Sequence, residues 1–180
     1  MTDLVVRARR DEDLPECAEV LREVHRDDGY PTYWPDDPER FVAGRGTLAA
    51  WVAVNDGALV GHVALGTADS AAVWGPCTEA TGRALTGLGV VARLFTAPAA
   101  RGHGVAGALL SAAVAEAERR GLTPVLDVTV DNRDAIDFYE RRGWTAVGEA
   151  TLQLADPPDA TLAMALYVAP LPARVDVTAV

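Results

Sequence analysis

Apolar positions along the chain switch between strand-like runs and helical spacing in a regular order. Leu4 to Ala8 is a short apolar run and predicts a first strand. Leu14, Cys17, Ala18, Leu21 and Val24 then recur at helical spacing and form one stripe to bury. Asp11 or Asp13 is expected to cap that helix, with Pro15 tolerated in its first turn and a stop near Gly29. Leu48 to Val54 and Ala58 to Leu65 predict two strands. Asn55-Asp56-Gly57 joins them and is a hairpin signal, because these residues accept the positive φ that such turns need. Leu88 to Thr96 is almost wholly apolar and predicts a central strand buried on both faces. Val105 to Arg120 predicts a helix with apolar first turns and a wet end at Glu116, Glu118, Arg119 and Arg120; Gly121 stops it. Pro124 to Val130 predicts a strand. A helix capped by Asn132 and ended by Gly143 follows, then a strand starting over Thr145–Gly148 and a last strand over Thr161–Val168.

Two stretches lack a clear period. Tyr30 to Gly46 is a loop rich in proline and aromatics, with a short helix expected from Pro38 to about Val42. Tyr30, Tyr33 and Trp34 cluster there. They either pack the loop onto the core or line a substrate groove, since loops on a rigid scaffold often carry binding residues. Gly66 to Gly87 is rich in small residues, with a short helix expected around Thr78 to Arg83. A loop of this length is usually functional or partly helical, which makes it a candidate for substrate selection.

At 180 residues and 49% hydrophobic content, one globular domain over residues 1–168 is expected, with residues 169–180 as a loose tail. No apolar run is long enough to span a bilayer, and no secretory signal is visible, so a cytoplasmic address and no membrane partner are the default expectations. A net charge of −10 argues against nucleic acid as a partner. Cys17 and Cys77 form no disulfide framework, and Cys17 reads as a small core residue. His25, His62 and His103 share no ligand-like spacing, so no metal is predicted, and His62 within a strand reads as structural.

The chemistry concentrates between Leu94 and Trp144. Arg101-Gly102-His103-Gly104-Val105-Ala106 opens a helix, and such a turn offers unpaired backbone N–H groups at the positive end of the helix dipole. Gly102 and Gly104 let backbone approach a ligand, and His103 between them is expected to face solvent or a ligand phosphate. Gly102, Gly104 and Gly107, with Asp127 downstream, also outline a dinucleotide fingerprint. Two facts reject it. Five residues separate the strand from the first glycine, and only one clear βαβ unit is present. A mononucleotide phosphate loop fails too, because no Gly-Lys-Ser/Thr follows.

These residues resemble the GNAT superfamily of acyl-coenzyme A-dependent N-acyltransferases. Arg101-Gly102-His103-Gly104-Val105-Ala106 matches its R-x-x-G-x-[GA] motif. Asn132, Ala135, Phe138-Tyr139-Glu140 and Gly143-Trp144 match its N-x-x-A-x-x-[LF]-Y-E-x-x-G-[FW] signature. The order of elements from Leu4 to Val168 also fits. The resemblance implies an α/β (α+β) fold with a mixed, strongly bent sheet, central strands splayed into a cleft, and flanking helices. It implies acetyl-CoA as acyl donor. The backbone of Leu94, Phe95 and Thr96 would bond the pantetheine arm, the amides of Arg101, Gly102, His103, Gly104, Val105 and Ala106 would hold the pyrophosphate, and Asn132 would also contact the cofactor. Tyr139 would protonate the leaving thiolate. Asp127 interrupts an apolar strand and is the candidate base, where some protein N-terminal acetyltransferases of the superfamily carry glutamate; Glu79 and Asp69 are weaker alternatives.

The leading expectation is therefore an N-acetyltransferase acting on a primary amine of a small molecule or peptide. The alternative is a non-catalytic acyl-CoA binding or sensing module on the same fold. A homodimer is the default oligomer. The acceptor groove is expected from residues 30–46, 66–87 and the last strands.

Overall fold

The computed structural model describes residues 3–154 and 159–170. Strand β1 (Leu4–Ala8) leads through a single 3-10 turn to α1 (Leu14–Asp28) and α2 (Pro38–Ala43). A hairpin of β2 (Thr47–Asn55) and β3 (Ala58–Thr67) follows, then α3 (Ala71–Thr81), β4 (Leu88–Thr96), α4 (Val105–Arg119) and β5 (Thr123–Thr129). Helix α5 (Arg133–Glu140) and the strands β6 (Thr145–Gln153) and β7 (Thr161–Val168) complete the fold. The strands form one sheet in the order β1-β2-β3-β4-β5-β7-β6. Every pairing is antiparallel except β4 with β5, which α4 connects as a crossover. This is the mixed, helix-flanked sheet expected.

Side-chain alternation assigns the helices to faces. A Cβ at Gly61 would meet Leu109 of α4, whereas the next residue, His62, turns toward Arg9 and reaches the α2 side. Gly89 likewise faces Ala117 of α4, while Leu88 and Val90 pack with Trp74 and Cys77 of α3. Helix α4 thus covers one face. Helices α1 and α2 cover the other over the first strands, and α3 covers it over β6 and β7. The main core joins Leu21, Val52, Val63, Leu65, Leu109 and Leu126, all essentially inaccessible. Burying one such side chain is worth about 1.5–3 kcal/mol.

The hairpin turns as its residues predict, with φ of 50° at Asp56 and 84° at Gly57. Other expectations need correction. Neither aspartate caps α1 by its side chain; Asp13 instead accepts from Arg7 at 2.7 and 2.8 Å and from the Arg10 amide at 2.7 Å. The helix of the 66–87 stretch spans Ala71–Thr81, with Pro76 inside it, rather than Thr78–Arg83. An interior proline costs about 3 kcal/mol locally. Burial of Trp74 and Cys77 against Leu88, Val125 and Leu166 offsets it. Ala169 is buried and donates to the Pro124 carbonyl at 3.0 Å, so the chain stays docked there. Residues 171–180 of the expected tail lie outside the described residues.

Candidate active site

The parallel ladder between β4 and β5 lasts only three pairs and ends at Val90 with Val125. Beyond that point β4 keeps only β3 as a partner and β5 only β7. The strands splay and open a cleft of about 1010 Å³, at the upper end of usual small-molecule sites. One edge of the β4 backbone from Val91 to Thr96 therefore faces the cleft without a strand partner, and its polar groups need one from a ligand or water. This corrects the picture of β4 as buried on both faces: Ala92, Arg93, Leu94 and Thr96 are only half-buried.

A β-bulge sits at the split. Arg93 and Leu94 stand together opposite Val63, and Arg93 has a φ of 54°, a value that non-glycine residues rarely adopt. His62, fully buried, braces it. Its Nδ1 lies 3.0 Å from the Arg93 carbonyl, and its Nε2 lies 3.2 Å from an Arg9 nitrogen that also donates to the Val42 carbonyl. Arginine only donates, so Nε2 accepts and the proton sits on Nδ1. Burial, followed by the Arg9 and Arg93 charges, pushes His62 down to about 3 against the hydrogen bond to the Arg93 carbonyl. The ring stays neutral and stacks on Phe95 at 5.3 Å.

At one end of the cleft lies the glycine turn. Gly102 and Gly104 have φ of 78° and 79°, so their glycine character is demanded by the backbone angle. A Cβ at either would meet nothing within 4 Å, which leaves open space beside the turn. Gly104 is the N-cap of α4 and supplies no side-chain cap, so the first-turn amides remain free for an anion. Arg101 ties the turn to the end of α1 through Asp27 at 2.5 Å and Asp28 at 2.9 Å. Arg142 lies over the Phe138 ring at 3.8 Å, beside Gly107.

Deeper in the cleft stand Asp127 and Tyr139. Tyr139 packs edge-on against Phe138 at 5.2 Å and Trp144 at 5.8 Å, and among the described residues its hydroxyl makes no hydrogen bond. Burial first, then Tyr30 and Asp127, push the phenol far up, so it keeps its proton at neutral pH. Burial likewise raises Asp127, with its own backbone N–H and Arg93 opposing. Tyr30 is pushed up to about 12, chiefly by burial.

Of the residues singled out from sequence, Tyr30, Tyr33, Leu94, Phe95, Thr96, Arg101, Gly102, Gly104, Val105, Ala106, Asp127, Asn132 and Tyr139 line this one cleft. His103 does not; it is exposed and bonds the Arg101 carbonyl at 2.9 Å. Trp34 does not either, packing instead against His25 at 5.2 Å and under Arg22. The Asn132 side chain accepts from the Ala135 amide at 3.1 Å as the cap of α5. Residues 66–87, with Asp69 and Glu79, are absent from the lining, because α3 packs on β6 and β7. Sequence reasoning passed over Arg93; it expected residues 30–46 and the last strands in the groove without naming Phe41, Leu152, Leu154, Leu162 or Met164. Arg93 carried a signal: it is the one charged residue in an otherwise apolar run. Among the described residues no group of His, Cys, Asp or Glu could hold a metal, and no helix is long and apolar enough to cross a membrane.

Known proteins share this fold. The family described as "Acetyltransferase (GNAT) family" matches residues 14–144. An N-acetyltransferase from Staphylococcus aureus Mu50 is 20% identical with a TM-score of 0.70, over 94% of this chain and 99% of that one. Arabidopsis thaliana NAA60 in complex with acetyl-CoA is 21% identical with a TM-score of 0.66, over 92% and 97% of the two chains. The same plant protein with a bisubstrate analogue gives 22% and 0.66, over 92% and 96%. At such identities the likeness establishes the fold. No curated protein matches the sequence.

Proposed function

The chain belongs to the acetyltransferase (GNAT) family, and on that premise we propose that its β4–β5 cleft takes acetyl-CoA and passes the acetyl group directly to a primary amine. The observation that carries this reading is a continuous path. Free amides at the start of α4 lead to an unpaired β4 edge, and that edge leads to Asp127 and Tyr139. The path fits the donor's parts: an anionic pyrophosphate, a pantetheine arm with amides, and a reactive thioester.

The bound thioester supplies an electrophilic acyl carbon and a sulfur leaving group. The chain supplies the rest. The turn from Arg101 to Ala106, with Arg142 beside it, holds the pyrophosphate. Leu94, Phe95 and Thr96 offer backbone partners to the pantetheine arm, and Asn132 flanks it. Asp127 removes a proton from the incoming ammonium, directly or through a water. Burial favours this role, because a raised carboxyl is a stronger base than an ordinary one. The amine nitrogen bonds to the acyl carbon, the carbon–sulfur bond breaks, the sulfur takes the Tyr139 proton, and the proton the nitrogen sheds in becoming an amide returns through water to Tyr139. Tyr30 and Tyr33 line the acceptor side, where the acceptor is an amine of a small molecule or peptide.

A thiol-release assay with acetyl-CoA and a broad panel of amines tests the reading. Free thiol above background, matched by acetylated amine, is expected for at least one acceptor. Tight acetyl-CoA binding with no release for any amine would mark a binding module instead.

A further inference from the structure

Arg93 is the group the donor path does not use. It sits on the bulge at the strained φ of 54° and lines the cleft. Its guanidinium lies over the Phe41 ring at 5.3 Å and beside Gly44. Its Nε is buried without a hydrogen-bond partner, and among the described residues the side chain forms no ion pair. Other arginines of this chain are ion-paired, Arg7 with Asp13 and Arg101 with Asp27 and Asp28. A guanidinium whose buried Nε lacks a partner is costly, and it is a planar fork suited to a carboxylate. Asp127 stands on β5 across the same split, also without an ion pair among the described residues, and it feels the Arg93 charge. A guanidinium and a carboxyl group therefore face one cleft, held by separate strands.

Resting on the acetyl-transfer reading above, we propose that the acceptor is a free amino acid, its amine presented to Asp127 and its carboxylate held by Arg93. The apolar wall of Leu152, Leu154, Leu162 and Met164 favours an apolar side chain. Arg93 is then a specificity-determining residue: it selects acceptors that carry an anionic group next to the amine. His62, by gripping the Arg93 carbonyl at 3.0 Å, keeps that fork aimed.

Product binding tests this without relying on turnover. N-acetyl-leucine, N-acetyl-methionine and N-acetyl-phenylalanine, and their matched C-terminal amides, are titrated calorimetrically into the full chain with coenzyme A present. At least one carboxylate is expected to bind ten or more times tighter than its amide. Arg93→Met should bring that ratio near one, and Arg93→Lys should keep part of it. Equal affinities of acid and amide in the wild type overturn the proposal, as does a ratio that Arg93→Met leaves unchanged. The wild-type ratio decides even if Arg93→Met fails to fold. Acid-selective binding without thiol release from the free amino acids would support the carboxylate site and sink acetyl transfer, so the two failures are distinguishable.

Discussion

In the proposed mechanism Asp127 serves the reaction at the expense of the fold. Its folded value lies above that of an unfolded carboxylate because burial opposes the charge. A raised acid contributes stability that is fully present below the unfolded value and is lost as pH rises through the folded one. Burying Asp127 therefore costs the fold stability as pH rises above the unfolded carboxylate value. Asp127→Asn should melt higher than wild type at pH 7, with the gain shrinking toward pH 3, by thermal melts at both pH values. The same variant should lose about 10²–10⁴-fold in kcat/KM, and the acidic limb of the pH–rate profile, displaced above the ordinary carboxylate range, should vanish. Activity and stability moving in opposite directions separates a base from a merely structural carboxylate. Asp127 was legible in the sequence because a carboxylate in an apolar strand needs a reason. Arg93 interrupts its own strand in the same way, and only its backbone angle and unpartnered Nε single it out. Tyr30 and Trp34 could not be told apart, because side-chain direction in a proline-rich loop depends on contacts far along the chain.

At the scale of elements, the β4 bulge and its histidine brace make the cleft. His62→Phe keeps an aromatic ring but leaves the Arg93 carbonyl and an Arg9 donor without their partner. An unsatisfied buried group costs about 1–3 kcal/mol, so urea unfolding at pH 7 should show a loss of that order. The wild type carries a matching pH signature. His62 is held down at about 3 when folded, against an ordinary value near 6.5. Its contribution is fully present above 6.5 and is lost as pH falls toward 3, by up to about 1.4 kcal/mol per unit. His62→Phe should lack this component, so the stability difference between the two proteins should narrow from pH 7 to pH 4. Most elements were legible from period and punctuation, including the Asp56-Gly57 hairpin and α4. Helix α3 was not, because Gly75-Pro76 reads as a break. Its stability comes from burial of Trp74 and Cys77, contacts with strands up to about ninety residues away.

For the whole molecule the net charge is −10, yet along the cleft four arginines stand against three aspartates. Arg93, Arg101, Arg141 and Arg142 all line the cleft, and Arg101 and Arg142 stand by the glycine turn, where an anionic donor would enter. Acetyl-CoA at a hundredfold excess over its dissociation constant should stabilise the fold by about 2.7 kcal/mol, raising the melting temperature by about 5–10 °C for a chain of this size. The donor half of the site was readable because a glycine turn and an Asn–Tyr helix sit at a defined spacing in the sequence. The acceptor half was not, since it is assembled from α2, the bulge and the ends of β6 and β7. The central claim is that the cleft both holds the donor and carries out its chemistry through Tyr139. Acetyl-CoA affinity and thiol-release turnover, measured side by side in wild type and Tyr139→Phe, test it most directly. The account predicts an unchanged dissociation constant with turnover reduced about 10²–10⁴-fold. Turnover equal to wild type would contradict it.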